Sequence, residues 1–443
     1  MAAHYQRHPA GQAVGSNHDP NCATNTGTCP NGAQFAFTGG AARSGRLIRV
    51  TVRTGVTLPG LAAGTGRPSR PFGIYVHVPF CATRCGYCDF NTYTPAELAG
   101  GSTPEGWLAA LRIELRLAAA HLGVAPPVQT VFVGGGTPSL LGAAGLRSVL
   151  DAVGDNFAIS PGAEVTTEAN PESTSPEFFA QLRAAGFTRV SLGMQSTAPH
   201  VLAALDRVHS PGRALEAARE ARAQGFDNVS IDLIYGTPGE TDDDLLSSVS
   251  SAVEAGVDHL SAYSLIVEDG TALARRVRRG EMAAPDNDVV ARRYELLDRR
   301  LADAGFDWYE VSSWARPGGQ CLHNLGYWGG GQWWGAGPGA HGYVGSTRWW
   351  NVKHPNAYAE ALAGGSLPVA DFEQLDAEAL HTEEVMLGVR LRSGLPVAVL
   401  SGAERDRASE AIQDGLLCRQ GERLVLTDRG RLFADAVVRN LLD

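Results

Sequence analysis

No stretch of this 443-residue chain approaches the roughly 18 consecutive apolar residues a membrane-spanning helix needs, and its first twenty residues lack the apolar centre of a secretory signal. Stable membrane insertion and export are therefore not expected, and the chain reads as cytoplasmic. Positive charge is also short, with a formal net charge of -10. Residues 1–70 hold seven arginines (Arg7, Arg43, Arg46, Arg49, Arg53, Arg67 and Arg70) against Asp19 alone, so the remainder carries about -16. That sign repels phosphate backbones, and no nucleic-acid partner is expected. Cysteines number seven, an odd count, and three of them fall between positions 81 and 88. This is no disulfide framework; it suits a metal site in a reducing compartment.

What is present begins with length. With 44% hydrophobic residues the chain can bury one large core or two moderate ones. Residues 1–66 are rich in Gly, Ala, Thr and Arg with little apolar periodicity apart from 47–56, and read as a disordered, dispensable extension; an organellar transit peptide is the alternative. Cys22 and Cys29 in this stretch lack metal-ligand spacing. From residue 72 short apolar runs alternate with helical ones. Strands are expected at 73–78, 128–133, 163–168, 189–193, 228–233 and 259–265, with helices at 104–122, 139–153, 176–185, 212–224, 241–255 and 286–304. Six βα steps predict an α/β fold, a partial (β/α)6 TIM-like barrel over 67–302. Residues 303–443 form a second region, Gly- and Trp-rich over 326–350. It ends in helices and a hairpin, Leu417 to Leu426, turning at Gln420-Gly421, in a winged-helix-like α+β outline. Such folds often bind DNA, but the acidic charge favours a lid or wall packed on the barrel.

The densest chemical signal is Cys81-Ala-Thr-Arg-Cys85-Gly-Tyr-Cys88, directly after the first strand. This three-cysteine spacing arises by chance in roughly 0.002 of chains with that cysteine content. Three thiolates suit three irons of a 4Fe-4S cubane and leave the fourth open to a chelating ligand such as S-adenosylmethionine (SAM). A zinc knot is the alternative, but zinc in structural sites takes four closed ligands. Val133-Gly134-Gly135-Gly136-Thr137-Pro138 ends the second strand; two bare glycines allow close backbone approach to a ligand, and Thr137 adds a hydroxyl. Glu168, Gln195, Asp232 and Ser264 fall where the later strands finish, so they are expected to converge on one mouth with the cluster.

The C-x3-C-x2-C motif, with an aromatic before the third cysteine, resembles the radical SAM superfamily. The likeness extends through Tyr75-Val-His-Val-Pro-Phe-Cys81, Cys88-Asp89-Phe90-Asn91, Glu168-Ala-Asn-Pro171, Gly193-Met-Gln-Ser196, Asp232-Leu-Ile-Tyr-Gly-Thr-Pro238 and His323-Asn324-Leu-Gly-Tyr327-Trp328. Together these resemble the anaerobic coproporphyrinogen III oxidase family, and within it the haem chaperone branch. The resemblance implies a radical SAM core with a family-specific C-terminal domain. It implies Cys81, Cys85 and Cys88 as cluster ligands, and Tyr75, Gly135, Gly136, Thr137, Glu168, Gln195, Arg207 and Asp232 as cluster and SAM neighbours. It also implies His323 as a residue that meets haem; His341 and Cys321 are rival iron ligands that the residues themselves offer and the sequence does not rank. Decarboxylating oxidases of the family carry a further cysteine two residues beyond the third, where this chain has Phe90. The implied function is therefore haem binding and transfer to an acceptor protein. An oxygen-independent coproporphyrinogen III oxidase, or a radical SAM modification enzyme with another substrate, are the alternatives.

Overall fold

In the computed structural model the described residues are Leu58, Leu61, 70–98, 101–207, 210 and 212–443. The expectation for residues 1–66 lies outside them, except that Leu58 and Leu61 are 1% and 5% exposed and belong to the main core. From residue 72 the chain forms β1 (Phe72–Val78), α1 (Pro104–Leu122), β2 (Val128–Gly135), α2 (Gly142–Gly154), β3 (Ile159–Ala169), α3 (Pro176–Ala185) and β4 (Arg189–Gln195). Then come α4 (Pro199–Ala204), α5 (Arg213–Ala223), β5 (Asn228–Tyr235), α6 (Asp242–Glu254) and β6 (His259–Ser264). Thr103, Ser175 and Thr241 accept the first free N–H groups of α1, α3 and α6, each such cap being worth about 1 kcal/mol. β1 to β6 pair in parallel and in sequence order, as a succession of five crossovers of one hand requires.

Six more strands extend this sheet, giving the order β12-β11-β10-β9-β1-β2-β3-β4-β5-β6-β8-β7. After α7 (Ala272–Arg278) and α8 (Asn287–Asp303), β7 (Asp307–Glu310) and β8 (Ser313–Ala315) add antiparallel beyond β6. Composition marks 326–350 only as Gly- and Trp-rich; the structure builds strands from much of it. Behind α9 (Leu322–Trp328), β9 (Gln332–Ala336) runs parallel to β1, and β10 (His341–Val344) and β11 (Thr347–Asn351) follow antiparallel. After α10 (Pro355–Ala363), β12 (Val369–Gln374) forms the edge.

Alternation along the strands divides the sheet into two chemistries. Ile74, Val76, Val131, Val133, Val190, Leu192, Val229, Ile231 and Leu233 are fully buried beneath the helices, packed with Trp107, Leu111 and Leu115 of α1. The opposite positions, Tyr75, His77, Thr130, Glu164, Glu168, Arg189, Ser191, Asp232 and His259, make the inner face of the partial barrel polar. A buried carboxylate, Glu114 of α1, ties the core helix to the added strands. It accepts from Gly337 N–H at 2.8 Å, Asn351 Nδ2 at 2.8 Å and the Tyr358 hydroxyl at 2.6 Å.

The C-terminal stretch has its own apolar core and a small sheet. It comprises α11 (Ala377–Gly388), β13 (Leu395–Pro396), α12 (Gly402–Gln413), β14 (Leu417–Gln420), β15 (Arg423–Leu426), α13 (Asp428–Leu432) and α14 (Ala434–Leu442). The expected hairpin is β14 and β15. This stretch packs on the barrel through Arg431, whose guanidinium meets the Asp298 carboxylate at 2.5 and 2.8 Å and lies 4.8 Å over the Trp308 ring.

Candidate functional site

The cysteine loop leaves the carboxyl end of β1 and is held by backbone bonds on both sides. Cys81 N–H donates to Tyr93 O at 3.0 Å, Gly86 N–H to Leu205 O at 3.2 Å and Leu273 N–H to Gly86 O at 2.8 Å. The glycine loop after β2 docks on the same segment, Gly136 N–H to Val78 O and Thr137 N–H to Phe80 O, both at 2.8 Å. Here the bare glycines are required by the protein's own loop. A Cβ on Gly136 would strike the Phe80 carbonyl and stand 3.0 Å from Cys81 Sγ, and one on Gly135, at φ 115°, would stand 2.7 Å from the His77 ring.

Cys81, Cys85 and Cys88 are all partly exposed free thiols. Burial pushes the Cys81 and Cys88 thiols up, the latter to about 12, and the neighbouring cysteines add to the rise. Two donors face the sulfurs: Arg207 Nη1 lies 3.3 Å from Cys85 Sγ, and the Thr137 hydroxyl 3.7 Å from Cys81 Sγ. Among the described residues no three His, Cys, Asp or Glu side chains close on one metal ion. A cubane takes one thiolate per iron, a wider arrangement than the ligands of a single ion.

Around this loop stand the polar groups of the neighbouring strands. Glu168 of β3 accepts the Gly135 N–H at 3.0 Å, and its carboxyl is raised to about 7 by burial and by the nearby Asp232 charge. Asp232 accepts from Ser191 Oγ at 3.1 Å through both oxygens and is also raised by burial. It lies three residues inside the end of β5 rather than closing it, because that strand runs on to Tyr235. Gln195 follows an irregularity in the β4–β5 register and takes φ 63°; Asp206, beside Arg207, takes φ 51°. Left-handed backbone at a non-glycine residue costs roughly 1–2 kcal/mol and is concentrated at functional sites. No other described non-glycine residue adopts it.

Tyr75 and His77 share the inner face of β1. Tyr75 OH is 3.1 Å from His77 Nδ1, and His77 Nε2 is 2.9 Å from the carbonyl oxygen of Asn91, three residues beyond Cys88. Burial lowers the His77 imidazole to about 4, so it is neutral at pH 7. His77 and Asn91 were not among the expected site residues. The two-residue period that places His77 beside Tyr75 is a signal the sequence does contain.

His323 lies on the same side of β1 as Tyr75. The structure seats it on α9 behind Tyr75, 4% exposed, with Nδ1 at 2.8 Å from Thr130 Oγ1 and Nε2 at 2.9 Å from Tyr327 OH. Thr130 and Gly73, against which it packs, belong to the amino-terminal halves of their strands, so His323 stands away from the cysteine loop. A neutral imidazole has one donor and one acceptor nitrogen, and both are engaged; an iron ligand would have to surrender one. The cavity beside it, lined by Gly73, Thr130, Gly326, Tyr327 and Trp333, holds about 10 Å³, the space of a water. Cys321 is likewise enclosed, its thiol 3.5 Å from Glu164 Oε1 and pushed up to about 12 by burial. His341 is half-buried on β10, its ring stacked on Trp350 at 5.9 Å. The turn leading to it reaches the cysteine side, since a Cβ on Gly339 would stand 2.6 Å from Asn91 Nδ2.

The chain matches the radical SAM superfamily over residues 75–252 and the HemN C-terminal domain over residues 375–433. His323 and His341 fall between these two stretches. It is 72% identical over 387 residues to "Heme chaperone HemW" of Mycobacterium tuberculosis (strain H37Rv), covering 87% of this chain and 98% of that one. It is 32% identical to the proteins of that name from Bacillus subtilis (82% and 97% covered) and Escherichia coli (84% and 98%). Among solved structures, coproporphyrinogen III oxidase (HemN) from Escherichia coli superposes with a TM-score of 0.73 at 21% identity, over 85% of this chain and 91% of that one. At that identity the likeness is one of fold.

Proposed function

This chain belongs to the radical SAM superfamily and within it to the HemW haem chaperone family, and on that premise we propose that it takes up haem and passes it to an acceptor protein in the cytoplasm. The observation that carries the proposal is the 72% identity to a curated haem chaperone across 98% of that protein's length. Phe90, standing where the decarboxylating oxidases have a further cysteine, supports a chaperone without oxidase activity.

The residues present fit a 4Fe-4S cluster and SAM. Cys81, Cys85 and Cys88 offer three thiols in one anchored loop, and Arg207 and Thr137 aim donors at two of the sulfurs, which favours thiolate over thiol. Glu168 and Asp232 are two buried carboxyls, Asp232 within reach of the Arg189 charge, and an ammonium beside Glu168 would offset the Asp232 charge that raises it, while a ribose diol could donate hydrogen bonds to either. Bound together, cluster and SAM would supply the means for one-electron cleavage of a sulfonium C–S bond. What the chain's residues do is hold, orient and shield: the cysteines fix the metal centre, Gln195 and Tyr75 line the pocket, and the apolar outer face of the sheet keeps water from the strands.

For haem, the arrangement favours His341 over His323 and Cys321, which are buried and committed elsewhere. Imidazole is a good axial ligand, and Trp350 beside it offers a flat face to a porphyrin. Titrating haem into anaerobically reconstituted protein tests this assignment. The Soret band of His341→Ala is expected to shift and its haem affinity to fall by roughly tenfold or more, with His323→Ala keeping the wild-type band. The reverse pattern would return the ligand to His323.

A further inference from the structure

Gly73, Tyr75 and His77 occupy alternate positions of β1, and His323 enters their face from α9. The His323 ring stacks on Phe132 at 5.3 Å and 27° and on Tyr75 at 6.4 Å and 29°, while Phe132 and Tyr75 stack on each other at 6.2 Å and 26°. Outside this trio, Tyr327 stands edge-on to His323 at 4.8 Å, and Trp333 edge-on to Tyr327 at 4.5 Å. The backbone N–H groups of Leu322 and His323 both donate to Glu164 at 3.0 Å, which fixes the start of the helix that carries the ring. Gly73 makes the room, since a Cβ there would stand 3.1 Å from the imidazole and 2.5 Å from Thr130 Oγ1.

The proton positions along the inner end of this column follow from its partners. The Asn91 carbonyl only accepts, so His77 carries its proton on Nε2 and leaves Nδ1 as an acceptor. The Tyr75 hydroxyl must then donate to His77 Nδ1. Its remaining lone pairs can only accept, so towards a bound ligand Tyr75 answers a hydrogen-bond donor, an ammonium or a sugar hydroxyl, and not a carboxylate.

We propose that His323 is a positioning residue for the SAM pocket. It holds the Tyr75 ring through the stack, so that the Tyr75 hydroxyl presents its acceptor lone pairs to the ligand while its proton orients His77 and, through Asn91, the cysteine loop. The proposal rests on the reading that Tyr75 lines the SAM pocket, and it gives the His323-Asn324-x-x-Tyr327-Trp328 segment a task other than iron ligation. It also ties a surface feature to the cluster, because α9 opens at Leu322, which is 52% exposed.

The test compares wild type, His323→Phe, His323→Gln and Tyr327→Phe after anaerobic reconstitution. SAM affinity is measured by equilibrium dialysis, and the reduced cluster is followed by electron paramagnetic resonance with and without SAM. Phe keeps the ring volume and loses both hydrogen bonds; Gln keeps an amide near the place of Nε2. His323→Phe is expected to raise the SAM Kd roughly 3- to 10-fold and to diminish the SAM-induced change in the cluster spectrum, with partial recovery in His323→Gln. Should His323→Phe fail to fold, Tyr327→Phe decides, with a smaller rise in the same direction. Equal SAM affinity and identical spectra across the folded variants would overturn the proposal. So would a lost haem Soret band in His323→Phe with SAM binding intact, because His323 would then be the iron ligand. A wild type that binds no SAM would overturn the reading of the pocket itself.

Discussion

Cys85 and Cys321 carry the same thiol into opposite surroundings. Cys85 is partly exposed, one of three thiols in one loop, with the Arg207 guanidinium on its sulfur. Cys321 is enclosed against a carboxylate, which holds it as an inert thiol. Replacing Cys85 by Ala is therefore expected to abolish the 4Fe-4S absorption after anaerobic reconstitution, and Cys321→Ala to leave it intact. A cluster that survives the first change and is lost in the second would reverse the assignment. At this scale the sequence was informative about identity and less so about place. The spacing of Cys81, Cys85 and Cys88 is a local quantity and reads directly. That His323 meets Thr130 and Glu164, far back in the chain, follows only from the way α9 packs beneath the first strands. The reading of His323 as a residue that meets haem came from the resemblance, and its partners Thr130 and Tyr327 are what the sequence did not show.

β1 to β6 and the long helices α1, α2, α3, α5, α6 and α8 were legible because each repeats a local rule, an apolar run, a cap, an amphipathic helix, a glycine; the short helices α4 and α7 were not. β9 to β12 were not, because their place depends on β9 pairing with β1, some 260 positions earlier, a contact no local pattern encodes. Glu114 marks that join, a carboxyl pushed up to about 7 by burial, although Tyr358, Gly337 and Asn351 all bond to it. Because the folded pKa lies above the unfolded value of about 4.5, the native state holds the proton more tightly. This group's contribution is fully present below pH 4.5 and is lost as pH rises through about 7. The window spans about 3 kcal/mol. Glu114→Gln removes that titration, so the difference in unfolding free energy between variant and wild type, from denaturant titrations at pH 5 and 7.5, is expected to move in the variant's favour at the higher pH. A difference independent of pH would show that Glu114 is ionised throughout.

For the whole molecule, β1 to β12 form one sheet around a polar lumen, and the C-terminal stretch with its own small sheet is clamped to it by Arg431 and Asp298. The sequence gives no sign that the core reaches back before residue 67, since Leu58 and Leu61 lie in a stretch without periodicity. Both are buried nonetheless. A chain beginning at Val52 is expected to match the full chain in thermal stability and cluster content. One beginning at Arg67 loses both leucines and should be less stable by roughly 3–6 kcal/mol. Equal melting temperatures for the two would remove Leu58 and Leu61 from the list of residues that matter.

The claim that the protein carries haem rather than making its precursor is tested most directly by giving one reconstituted, anaerobic preparation two tasks. In the first, it is loaded with haem and mixed with an apo-haem protein; in the second, it is incubated with SAM, reductant and coproporphyrinogen III. The account predicts haem moving to the acceptor, seen as the acceptor's own Soret band, and no protoporphyrinogen formed. Turnover of coproporphyrinogen III, or haem that never leaves the protein for any acceptor offered, would contradict it.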